Sequence, residues 1–153
     1  VFDILADVVG LSFLELFAGS GAVGFEALSR GAAFLVLIED NPECLKVIKK
    51  NIELLGAEDC ILYPKEAEAA IKAFHAQAKR FDIIFLDPPY RTDALKKALQ
   101  TLSAYDILAP DGLVIIQHFS KDNLPEASGD LVLCKQARYG DTTLSFYKKG
   151  QDN

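Results

Sequence analysis

The sequence predicts an α/β fold: a mostly parallel sheet with helices on both faces and an antiparallel hairpin at its C-terminal end. Three observations carry that expectation. Apolar runs alternate with helical patterns along most of the 153 residues, as βαβ units require. A glycine-rich stretch, with Gly19, Gly21 and Gly24, falls where the first strand would turn into the first helix. The last apolar runs, 131–137 and 142–147, lie too close together for the long crossover that parallel strands need.

Residues 11–16 read as the first strand, and 22–30 as a helix stopped by Gly31, the residue type that most easily takes the left-handed cap. Residues 34–39 form a second buried strand. Pro42 suits a first helical position, with Asp40 and Asn41 as caps. That helix places Leu45, Ile48, Ile52 and Leu55 on one face and ends at Gly56. A short strand over 60–63 and an alanine-rich helix over 66–79 follow. Residues 81–87 read as the fourth strand, with 83–86 continuous in Ile, Phe and Leu as expected in the middle of a sheet. Thr92 or Asp93 caps a helix to about Tyr105, Ala109-Pro110-Asp111-Gly112 is a turn, and 113–117 the fifth strand. Tyr139-Gly140-Asp141 joins the hairpin. No repeat or linker interrupts the chain, so residues 1–153 are read as a single domain.

Half of the residues are hydrophobic and a quarter charged, an ordinary globular balance. The apolar runs, such as that around 81–86, are too short to cross a bilayer. Cys44, Cys60 and Cys134 form no CxxC pair, which argues against disulfides or a zinc site and for a reducing cytoplasm. No metal is expected, and a monomer is. The net charge of -6 speaks against a nucleic-acid partner unless a local basic patch or a further segment reverses the balance. The chain contains no methionine, so a segment ahead of Val1 is expected.

The run from Glu15 through Phe17, Ala18, Gly19, Ser20, Gly21 and Gly24 is a strand end, a glycine turn and a helix start. Such glycines let backbone approach a ligand and bring a helix N-terminus up to it. The spacing matches the GxGxxG of dinucleotide enzymes, a weak signal alone. Glu15 separates the readings. A carboxylate there would repel a pyrophosphate but welcome the ammonium and sulfonium of S-adenosylmethionine. Glu39, ending the second strand, suits both ribose hydroxyls of either cofactor, or is a solvated strand end. Asp40 lies beside it. Glu66 and Ala67, after the third strand, suit an adenine contact, or equally a carboxylate favoured by a helix dipole.

Asp87-Pro88-Pro89-Tyr90 follows the fourth strand. The prolines remove two donors and leave rigidly aimed carbonyls. With Asp87 and the Pro88 carbonyl each accepting one N–H, a conjugated exocyclic amine can turn its lone pair toward a methyl donor, and acceptors there stabilise the developing positive charge. Tyr90 would stack on the base, which must be unpaired or flipped out to enter. The bland alternative is a proline turn with Tyr90 as packing. The same turn also suits an N6-adenine or N4-cytosine methyltransferase acting on DNA.

Three stretches resemble the RsmD-type 16S ribosomal RNA guanine-N2 methyltransferases: FLELFAGSGAVGFEALSRGA (13–32), FDIIFLDPPY (81–90) and YGDTTLSFY (139–147). The resemblance runs from Phe2 to about Lys148. It implies a Rossmann-like, seven-stranded class I methyltransferase fold and methyl transfer to guanine N2 in 16S rRNA or a small-subunit particle, with S-adenosylhomocysteine as product. By the same resemblance Gly19, Ser20 and Gly21 line the methionine end, Glu39 holds the ribose, and Asp87 through Tyr90 hold the guanine. The family usually has Asp at Glu15 and often Glu at Gln117. Its N-terminal basic segment, ahead of Phe2, is absent from this sequence. His118 reads as a polar strand end and Lys46, Lys49 and Lys50 as a solvated helix face.

Overall fold

Side-chain alternation along the central strands decides how the sheet is covered, because successive residues point to opposite faces. In the computed structural model, which describes residues 7–90 and 93–150, the order is β1 Ser12–Leu16, α1 Ala22–Ser29, β2 Phe34–Glu39, α2 Pro42–Leu55, β3 Cys60–Pro64 and α3 Ala67–Ala76. Then come β4 Phe81–Leu86, α4 Ala94–Ala104, β5 Leu108–Phe119, β6 Ala127–Ser128, β7 Leu131–Tyr139 and β8 Thr142–Lys149. The stretch at Phe2 and the Thr92 cap lie outside the described residues. Phe13, Leu35, Leu37, Ile83 and Phe85 face one way and pack with Ala27 of α1 and Ile48 of α2. Leu14, Val36, Ile38, Ile84 and Leu86 face the other way, against Ile71 and Phe74 of α3 and Leu99 and Leu102 of α4. Both faces are apolar, so the strands read as continuous hydrophobic runs.

The sheet order is β3-β2-β1-β4-β5-β8-β7-β6. The first five strands run parallel, and the chain reverses direction across the sheet between β1 and β4. At such a switch point the strand ends leave a crevice. Ser12 and Asp82 pin that boundary from the opposite end: Ser12 N donates to Asp82 Oδ2 at 2.9 Å, and Asp82 N donates to Ser12 Oγ at 3.0 Å. β8 inserts antiparallel between β5 and β7, joined to β7 by the two-residue turn Gly140-Asp141 with Gly140 at φ 62.

Three expectations change. The sheet has eight strands rather than seven, because Ala127–Ser128 adds a short pairing to β7. The 109–112 turn is an excursion inside β5: Leu108 pairs with Phe81 and Leu113 with Ile83, so the extra residues bulge out while pairing resumes on either side. A Cβ at Gly112 would lie 2.5 Å from Leu108 Cδ1, so that excursion needs glycine. α3 stops at Ala76 because Ala78 takes a left-handed φ of 56. Asn41 caps α2 as expected, accepting from Glu43 N at 2.9 Å and Cys44 N at 3.2 Å. Among the described residues no helix is long and apolar enough to cross a membrane.

α1 lies close to β2 because Gly24 has no side chain. A Cβ there would stand 2.6 Å from Leu35 Cδ1 and 3.0 Å from Glu15 Oε1. Gly24→Ala should therefore destabilise the fold by about 1–3 kcal/mol, the usual cost of overpacking. Urea denaturation at neutral pH checks this; an unchanged midpoint would show that α1 is free to shift.

Candidate active site at the open ends of β1, β2, β4 and β5

β1 ends in a sharp turn. Phe17 is held at φ 57, a conformation costly for an aromatic residue and one that clusters at ligand sites. Ala18 N donates to Ile38 O at 3.0 Å and Gly21 N to Ala18 O at 2.8 Å, which closes the glycine loop over the end of β2. Nothing lies within 4 Å of a Cβ built on Gly19, so open space begins there. From behind, Asn51 of α2 donates to Ser20 O at 3.1 Å.

Two carboxylates frame this loop. Glu15 is 3 % exposed, its Oε1 accepting Gly24 N–H at 3.1 Å. Burial pushes its carboxyl up to about 8; the Gly24 N–H offsets part of that, and the charges of Asp87 and Glu39 add to it. Glu39 is fixed by three backbone amides: Gly19 N at 2.8 Å on Oε1, and Asp40 N at 3.1 Å and Asn41 N at 3.0 Å on Oε2. Gly19 N is thus engaged by a carboxylate, and carboxyl groups from three strand ends meet here, with Glu15 protonated near neutral pH. The chemistry of the crevice suits a cationic ligand and opposes a pyrophosphate. Glu66, exposed, and Ala67, buried, sit at the N-terminus of α3 after β3.

Beyond β4, Asp87 reaches solvent, Pro88 is buried, and Pro89 and Tyr90 are exposed. Partial desolvation raises the Asp87 carboxyl above the usual aspartate range. Gln117 Nε2 donates to Asp87 Oδ2 at 3.2 Å. A cavity of about 850 Å³ opens beside the turn, lined among others by Pro88, Pro89, Tyr90, Leu99, His118 and Asn123. The size is that of a small-molecule site. His118 is locked into its wall: its Nδ1 donates to Phe119 O at 2.9 Å and its Nε2 lies 2.7 Å from Ser145 Oγ, so the ring is held from both sides.

The family model described as conserved hypothetical protein 95 matches residues 1–148. "Putative rRNA methyltransferase YlbH" of Bacillus subtilis is 39% identical over 140 residues, 89% of this chain and 74% of that protein. "Ribosomal RNA small subunit methyltransferase D" of Escherichia coli K12 is 31% identical over 151 residues, 97% of this chain and 74% of that protein. The chain belongs to this RsmD-type methyltransferase family. A solved conserved hypothetical protein from Streptococcus pyogenes superposes with a TM-score of 0.85 at 32% identity, covering 98% of this chain and 92% of that one.

The structure brings Glu15, Glu39, the glycine loop and the Asp87 turn of this methyltransferase to neighbouring strand ends. Sequence reasoning missed Asn51 and Phe119, and noted Gln117 only as a position where the resembling family often has Glu. Gln117 follows Ile116, which pairs with Leu86, so it stands beside Asp87 across the sheet; the register alone would have found it. Phe119 lies with its ring centroid 6.2 Å from that of Tyr90.

Glu15 also sets a pH dependence. Unfolded, it loses its proton near 4.5; folded, it keeps it up to about 8. The folded state therefore holds more protons through that window, and stability falls as pH rises across it. Glu15→Gln should flatten this fall. Urea midpoints at about pH 5 and about pH 9 measure it, with wild type losing more than the variant; equal losses would remove Glu15 as the cause.

Proposed function

We propose that this methyltransferase moves a methyl group from S-adenosylmethionine to the exocyclic N2 amine of a guanine in 16S rRNA of the small ribosomal subunit. The observation that carries the reading is Asp87, held by Gln117 and followed directly by Pro88, Pro89 and Tyr90, which line a cavity of about 850 Å³. The names of the Bacillus subtilis and Escherichia coli relatives support an rRNA substrate.

When bound, S-adenosylmethionine supplies an electrophilic methyl on a sulfonium. The chain's residues do the rest. Phe17, Ala18, Gly19, Ser20 and Gly21 would hold the methionine end, with Gly24 letting α1 close behind them. Glu39, with Asp40 beside it, would take the ribose, and Glu66 and Ala67 the adenine. Glu15, whose burial keeps it protonated near neutral pH, would ionise against the ligand's cation. Asp87 and the Pro88 carbonyl accept the two N–H groups of the target amine, so positive charge developing on nitrogen meets acceptors already in place. Pro89 keeps the turn rigid, and Tyr90 stacks on the base to hold it in line. The proton lost by the amine after methyl transfer passes toward Asp87, whose raised carboxyl is suited to receive it, and on to solvent.

Asp87→Ala should lower kcat roughly 100- to 1,000-fold while S-adenosylhomocysteine affinity stays near wild type. The assay is transfer of labelled methyl to 30S particles or naked 16S rRNA, followed by digestion and identification of the labelled nucleoside. Label in N2-methylguanosine supports the reading; label on adenine, or on DNA in place of RNA, overturns it.

A further inference from the structure

One part of the chain has no role in the chemistry above: the Tyr139-to-Tyr147 tail. Its register gives it one. Phe119 of β5 pairs with Thr142 of β8, and Thr142 pairs with Tyr139 of β7. Directly opposed residues of antiparallel strands share a face, so Phe119, Thr142 and Tyr139 stand in one row. The two rings are separated by two strand spacings, about 10 Å, with only the small Thr142 between them. At its near end the row meets Tyr90 of the catalytic turn, 6.2 Å from Phe119 between ring centroids. Tyr90 is 49% and Tyr139 56% exposed, so the row begins and ends in solvent.

We propose that this row is a stacking platform for single-stranded RNA next to the methylated nucleotide, with Phe119 and Tyr139 receiving flanking bases and Lys121 beside their phosphates. The proposal rests on the base-methylating reading of the Asp87 turn.

Hydrogen bonds tie together the backbone beneath the row. Ser120 N donates to Asp141 O at 2.6 Å, Ser120 Oγ to Gly140 O at 3.0 Å, and Ser120 Oγ lies 2.8 Å from Thr143 Oγ1. Arg138 Nε donates to Gly140 O at 2.9 Å, wrapping the hairpin tip. The turn after β5 and the tip of the β7–β8 hairpin therefore behave as one piece. Lys121 Nζ sits 5.9 Å from the Phe119 ring centroid. Exposed rings interleaved with cations are what unpaired bases use, because every base has a π-face to stack. A target that enters the Tyr90 site unpaired delivers its neighbours to this row. Asp122 and Asp141 flank it and the chain is acidic overall, so stacking rather than charge should supply most of the affinity.

The test is fluorescence anisotropy on the full chain with a short fluorescein-labelled single-stranded oligoribonucleotide carrying one guanine, compared with its duplex. Tyr139→Ala should weaken single-strand binding roughly 5- to 100-fold. It should raise KM for RNA while kcat and S-adenosylhomocysteine affinity stay near wild type. Tyr139→Phe, which keeps the ring, should restore binding. Wild-type binding by Tyr139→Ala overturns the platform, as does equal weakening of duplex and single strand. Tyr139-dependent binding in a wild-type protein that never methylates guanine keeps the platform and removes only the catalytic reading.

Discussion

Three carboxyl groups converge where β1, β2 and β4 end, and the rest of the site is arranged around them. Parallel strands force Glu15, Glu39 and Asp87 to the same edge of the sheet, and the switch between β1 and β4 opens a crevice among them. Left alone, three carboxylates so placed would repel one another. The protein manages this differently at each: Glu15 is buried and protonated near neutral pH, Glu39 is held by three amides, and Asp87 is steadied by Gln117. A ligand bringing positive charge relieves the repulsion, and in that sense the crevice is built for a cation.

The two halves of the sheet divide the work. The parallel half carries the crevice, its glycine loop clamped to β2 by Ala18 and braced from α2 by Asn51. The antiparallel half carries what lies beyond it. β8, wedged between β5 and β7, holds His118 through Ser145 and ties the segment after β5 through Tyr147, whose hydroxyl donates to Pro125 O at 2.6 Å. The Asp87 turn lies beside Gln117 of β5, the strand at which the halves meet.

Much of this was legible in residue types alone. Continuous apolar runs mark both faces of β1, β2 and β4 as buried, and Asn41-Pro42 announces the start of α2. The Asp87 turn and glycine loop carry their chemistry in their residues. What stayed hidden depends on distant partners. Nothing local shows that residues 109–112 bulge from a continuing strand, because Phe81 decides that by pairing with Leu108. Nothing in an Ala-rich helix shows that Ala78 takes a left-handed turn. Glu15 reads in sequence as an open carboxylate; only packing of α1 against β2 through Gly24 shows it enclosed. Gln117 and Phe119 gain meaning from strand register, which sequence spacing does not supply.

The claim that most depends on this arrangement is that the crevice takes a cation-bearing cofactor and refuses a dinucleotide. Isothermal titration calorimetry with S-adenosylmethionine and with NAD, repeated in buffers of differing ionisation enthalpy, tests it directly. The account predicts saturable binding of S-adenosylmethionine with proton release near neutral pH as Glu15 ionises, and no measurable heat with NAD. Binding of NAD, or uptake of S-adenosylmethionine without any proton release, would contradict it.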